Sequence, residues 1–173
     1  MRRFAVVVTL GALLGMFAGV LTASPALAGR GHKWQFVPAA PFTLPAGFCG
    51  FKVKVVPVAN KVFSKMLKGS DGSMISLGTG SFKLSFTNLR TGKTITENAS
   101  GPAKITVSSD GSVVVSGKGH FVGFLPPPLA QRFGLPAVNV TAGHLTVALD
   151  AAGNLTSLSL RGHVLVDVCA ALS

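Results

Sequence analysis

From Phe51 to Val168 the chain returns again and again to a period of two, which restricts it to half-buried strands. Phe51, Val53 and Val55 alternate with Lys52 and Lys54; Phe82, Leu84 and Phe86 alternate with Ser81, Lys83 and Ser85. Side chains along a strand point to opposite faces, so each run offers one apolar face to a core and one polar face to water. Val62-Phe63 and Met66-Leu67 predict a less regular strand; Ile105 with Val107, Val113 to Val115, and Phe121 to Phe124 predict three more. Leu145, Val147 and Leu149 alternate with His144, Thr146 and Ala148, and Leu158, Leu160, Val164, Val166 and Val168 share one parity. No helix is predicted beyond residue 28, apart from one turn at Leu129 to Phe133.

The turns agree with this reading. Ser70-Asp71-Gly72-Ser73 and Ser109-Asp110-Gly111-Ser112 repeat one tetrapeptide between apolar runs, and Asp-Gly tolerates the positive φ of a tight hairpin. Asn88 to Gly92 is a longer turn, and Asp150 to Gly153 links the last two strands. In that last hairpin a four-residue loop opposes Leu149 to Asn154, Leu145 to Leu158 and His144 to Ser159, which keeps the faces separate. About eight strands with short turns predict an all-β domain: an antiparallel barrel, or alternatively a β-sandwich. The one long connection, opened by Pro126-Pro127-Pro128 and closed by Pro136, is a candidate lid or partner surface.

The amino-terminal end has a different character. Met1-Arg2-Arg3 precedes an uncharged apolar run from Ala5 to Val20, and Ala26-Leu27-Ala28 follows. That order predicts a secretory signal peptide over residues 1–28 and a secreted, extracellular product. Residues 29–47 read as an extended Pro-rich arm, because Pro38, Pro41 and Pro45 interrupt pairing. Trp34, Phe36, Phe42 and Phe48 would pin the arm to the domain. Residues 48–173 read as a single β-domain. Cys49 and Cys169 are the only cysteines, and in an exported chain an even count argues for a disulfide. That bridge would close the domain. No segment after residue 28 approaches ~18 uninterrupted apolar residues, so no membrane span is expected in the processed chain.

The charge narrows the partners. Of 16 basic residues, removal of Arg2 and Arg3 leaves 14 against five acids, a net +9. Such a surface favours anionic envelope polymers or acidic lipids. Most lysines stand singly at polar positions, where they also guard strand edges. Nucleic acid is not an expected partner: tyrosine is absent and the phenylalanines mostly fall on the core parity. Oligomeric state is not legible.

No catalytic pattern emerges. Asp71, Asp110 and Asp150 belong to turns, which leaves Glu97 and Asp167 with no spacing that would pair them. There is no Gly-x-Ser-x-Gly elbow. Gly117 to Gly123 misses the dinucleotide-loop spacing, and like Gly78-Thr-Gly80 it reads as bends or bulges of a curved sheet. His120, His144 and His163 lie on late strands without metal-ligand spacing. No catalytic, cofactor or metal residue is therefore assigned. Asn98, Asn139 and Asn154 fit the glycosylation sequon.

Four short segments are Leu-Pro-Ala-Gly-Phe-Cys at 44–49, Thr-Asn-Leu-Arg-Thr-Gly-Lys at 87–93, Ala-Ser-Gly-Pro at 99–102 and Asp-Val-Cys-Ala-Ala-Leu at 167–172. Through them the chain from Leu44 to Ser173 resembles small secreted proteins of actinobacteria. That resemblance implies an exported compartment and pairing of Cys49 with Cys169. Gly-Thr-Gly-Ser-Phe at 78–82 also resembles allene-oxide-cyclase-like and dirigent-like barrels. The expected function is a binding module for a small apolar ligand, with Phe82, Leu84, Phe86 and Phe121 as candidate lining. The alternatives are a structural or adhesive cell-envelope protein, and a barrel-type isomerase or cyclase using Glu97 or a histidine.

Overall fold

The period-two runs become strands of one antiparallel sheet. The computed structural model describes residues 33–173, so the segment read as a signal peptide lies outside the described residues. The strands are β1 (Gln35–Phe36), β2 (Phe42–Leu44), β3 (Val53–Lys68), β4 (Met74–Asn88), β5 (Thr94–Asn98), β6 (Ala103–Val107), β7 (Val113–Phe124), β8 (Val138–Leu149) and β9 (Leu155–Asp167). Two short helices, α1 (Pro127–Phe133) and α2 (Val168–Leu172), complete the described elements. No described helix is long and apolar enough to cross a membrane.

The sheet runs β1-β3-β4-β6-β7-β8-β9, with β2 also on β3 and β5 also on β4. The all-β expectation is met, but the barrel is not closed. β1 and β2 occupy the outer side of β3 near its two ends, pairing Phe36 with Phe63 and Phe42 with Val55. Among the described residues β9 forms no ladder with β3. The two margins are tied covalently instead: Cys49, just before β3, is bonded to Cys169 in α2, just after β9, with Cα atoms 5.1 Å apart. The carboxyl end also reaches the β4–β5 turn, where Asn88 Nδ2 donates to Leu172 O at 3.0 Å.

Three local expectations are corrected. The runs at Val113–Val115 and Phe121–Phe124 belong to one strand, β7, and those around Val53 and Val62 to one 16-residue strand, β3, which absorbs Pro57 at a bulge between Pro57 and Ala59. A strand tolerates a residue without an N–H at a bulge or an edge, and β1 and β2 leave that stretch unpaired on one side. The last hairpin pairs Leu145 with Leu160, Val147 with Leu158 and His144 with Arg161, two residues away from the four-residue-loop register. Leu149 pairs with Leu155, so five residues separate the strands, drawn together where Asp150 N donates to Asn154 O, and a bulge next to the Leu149–Leu155 pair restores the parity. Val168 does not extend β9. Asp167 accepts from Ala170 N, caps α2 and ends the strand.

The sheet curls strongly because glycines run across it. Gly119 pairs with Gly143, and Gly143 pairs with Gly162. A side chain on either Gly143 or Gly162 would collide with backbone of the neighbouring strand. Such glycine lines let a sheet bend sharply, and the bends expected at Gly80 and Gly119 are there, each with positive φ. On one side of the line Val115, Val147 and Leu149 pack with Leu125, Ala130 and Leu155 under α1. On the other, Phe124, Val138 and Val140 join Val53, Val55, Leu84, Phe86 and Leu172 in the main core. Phe124 meets Phe42 edge-on at 5.6 Å, so β2 closes over β7 although no ladder joins them.

Candidate functional site

Curling leaves a cavity of about 140 Å³ along the concave side of the sheet. β3 and β4 contribute Val62 and Phe82; β6 contributes Ile105; β7 and β8 contribute Phe121, Val122 and Val147. Small residues make the room: Ala39, Ala99, Ala103, Gly78, Gly80 and Gly101 also face it. Gly117 serves the same end indirectly. A Cβ on it would lie 2.6 Å from Phe121 Cζ, so its absence lets that ring lie against the strand.

Two lining residues carry polar side chains, Asn60 and Thr79. Asn60 is already engaged at both ends: Nδ2 donates to Val37 O at 2.8 Å, and Oδ1 accepts from Val62 N at 3.0 Å. It therefore stitches the arm to β3 and offers an incoming molecule little. Thr79 is exposed. Among the described residues no acid, lysine, arginine or histidine lines the cavity.

The proposed lining residues divide. Phe82 and Phe121 border the cavity, whereas Leu84 and Phe86 are fully buried in the main core. Val37 and Ala39 were missed because prolines hid the arm's inward side. Leu145, Val147 and Leu149 carried a visible signal, their shared parity, but nothing local distinguishes a core face from a cavity face.

The remaining polar candidates stand elsewhere. Glu97 lies on β5 opposite Leu84, and Asp167 caps α2. His120 and His163 both pair with Ala142 from opposite sides, which sets them about two strand spacings, roughly 10 Å, apart. His120 Nδ1 lies 2.9 Å from Asn98 Nδ2, and His144 is exposed on β8. Among the described residues no three His, Cys, Asp or Glu side chains gather as a metal shell. Of the sequon asparagines, Asn139 is only 2% exposed and donates to Pro136 O, so its amide is closed to glycan transfer. The Pro-bounded loop folds into α1, and Leu129 and Phe133 seat it on the cluster that includes Val147 and Leu149.

Asp71, Asp110 and Asp150 stand at one end of the sheet and serve their turns. Asp110 Oδ1 accepts from Ser112 N at 2.9 Å and Ser112 Oγ at 2.7 Å; Asp71 treats Ser73 alike. Asp150 accepts from the Asn154 side chain and backbone. These bonds favour the ionised carboxylates and hold all three below the ordinary value of 3.8. Lowered folded values give stability that is complete above the unfolded value and lost as pH falls through the folded one. Asp110→Asn keeps the turn geometry and removes the charge. Its thermal midpoint should lie below wild type at neutral pH, and the gap should narrow as pH falls below about 4. A gap that persists in acid would assign the effect to shape rather than charge.

Compared with known protein families, curated proteins and solved structures, the chain has no match.

Proposed function

We propose that this protein binds a small apolar molecule in the cavity of its curled sheet. One observation carries the reading: among the described residues the lining has no titratable side chain, and one of its two polar residues is already hydrogen-bonded at both ends. Ligand sites are concave and mostly apolar, with few polar groups to fix orientation. A protein cavity of about 150 Å³ lined by aliphatic and aromatic side chains accepts benzene. The present volume therefore suits a ligand on the order of six to ten non-hydrogen atoms. An isomerase or cyclase would need an acid or base beside its substrate, and Glu97 and the histidines stand outside the lining. A secreted setting is consistent with the Cys49–Cys169 bridge, since disulfides persist in oxidising compartments.

The test pairs native mass spectrometry with thermal shift against benzene, cyclohexane and short-chain alcohols, ketones and esters. Wild type is expected to carry a mass excess lost on denaturation, or to gain stability with at least one of these compounds. Ala103→Leu fills the lining and should weaken that binding by more than tenfold while leaving circular dichroism unchanged. If wild type takes up none of them, or if the filled variant binds equally well, the cavity is packing space and the reading fails.

A further inference from the structure

We propose that the outer face of β1, β3, β4 and β6 docks on an anionic lipid surface. Three aromatic side chains lie outside the core on this face: Trp34 is 48% exposed, Phe36 52% and Phe63 43%. The register gathers them. Phe36 pairs with Phe63 across β1 and β3, with ring centroids 5.9 Å apart, and Lys65 Nζ lies 5.1 Å from the Trp34 ring centroid.

Lysines frame the aromatic group. Lys61 and Lys65 flank Phe63 on the same side of β3, and Lys104 faces Leu77, which in turn faces Lys65. Lys83 continues the outward side of β4. The four strands β1, β3, β4 and β6 contain no aspartate or glutamate. Such a face repels cations and has nothing to pair with a basic partner, so its complement is an anionic surface.

Ring geometry selects among anionic partners. A single-stranded nucleic acid stacks its bases on open aromatic faces. Here Lys65 covers a face of Trp34, and the two phenylalanines meet edge-on at an interplanar angle of 69°. A glycan stacks its sugar rings on the same open faces and meets the same obstacle. A bilayer interface asks only for apolar area beside cations: aromatic rings sit at headgroup depth, and lysines attract acidic lipids. Val37, just after β1, and Val62 on β3 turn inward to the cavity, so the outward aromatics and the cavity lining are separate sets of side chains.

Trp34 is the chain's one tryptophan, so its fluorescence reports this face directly. The protein is expressed from its full sequence and purified as the host processes it. It is then titrated with phosphatidylglycerol–phosphatidylcholine vesicles carrying brominated acyl chains, and with pure phosphatidylcholine vesicles. The expected result is a blue shift and bromine quenching with the anionic vesicles alone, reversed by high salt. Lys61→Gln/Lys83→Gln/Lys104→Gln spares the Lys65–Trp34 contact and should weaken partitioning roughly a hundredfold. Phe36→Ser/Phe63→Ser is expected to remove the quenching while retaining the circular dichroism spectrum. Unchanged Trp34 emission with anionic vesicles overturns the proposal. So does partitioning that survives the triple lysine variant, or a response to heparin or an oligonucleotide in place of vesicles.

Discussion

Replacing Cys49 and Cys169 together by serine is expected to lower the thermal midpoint by roughly 15 °C. The bond closes a loop of 120 positions, and the chain-entropy model assigns a loop of that length about 5 kcal/mol. Its location concentrates the effect. Among the described residues β9 pairs with β8 alone, and α2, which holds Cys169, follows it directly. Without the bridge the margin formed by β9 and α2 keeps the β8 ladder, the packing of Val168 and Leu172, and the Asn88 bond to Leu172. Hydrogen exchange should therefore accelerate first in β9 and α2 and last at the β3–β4 ladder. Calorimetry of wild type, reduced wild type and the double variant decides the point. A shift below about 3 °C would show that the margins hold themselves together and that the loop-entropy account does not apply.

How far the fold could be read depended on whether a residue's role is set locally. Phe82, Leu84 and Phe86 declare their burial by alternation alone, and all three are buried. The repeated Ser-Asp-Gly-Ser turns declare their hairpins because the Asp side chain bonds its own turn wherever the strands lead. Cysteine pairing was legible because two cysteines permit one bridge. Register was not: the last hairpin contains a bulge, and alternation is satisfied equally by pairings two residues apart. Closure was not legible either, because pairing of a Pro-rich arm with the outside of β3 is a long-range choice. For the site, Phe121 and Phe82 could be named, but Val37, Ala39 and Asn60 could not, since only the curl brings them together. The exposed aromatics were hidden for a related reason. Phe36 and Phe63 look like core residues singly, and their outward placement follows from the parity change at the Pro57 bulge.

That curl rests on glycines, and Gly143→Ala should destabilise the protein by about 3–5 kcal/mol. Gly143 has φ 134°, a conformation unfavourable for any L side chain, and its Cβ would lie 2.7 Å from Gly162 Cα and closer still to Arg161 O. Those atoms are backbone of a paired strand, so they can yield only if the β8–β9 ladder opens. Gly92→Ala isolates the conformational part. Gly92 also has positive φ, at 79°, but nothing lies within 4 Å of a Cβ placed there, in the exposed β4–β5 turn. It should cost about 1–2 kcal/mol, the price of the left-handed backbone alone. The difference between the two, measured by urea unfolding, is the contribution of close strand approach. Because Val147 and Leu145 line the cavity a few residues along the same strand, a Gly143→Ala protein that still folds should also lose uptake of apolar probes. Equal destabilisation at the two glycines, with probe uptake intact, would mean that the sheet keeps its curvature without the glycine line.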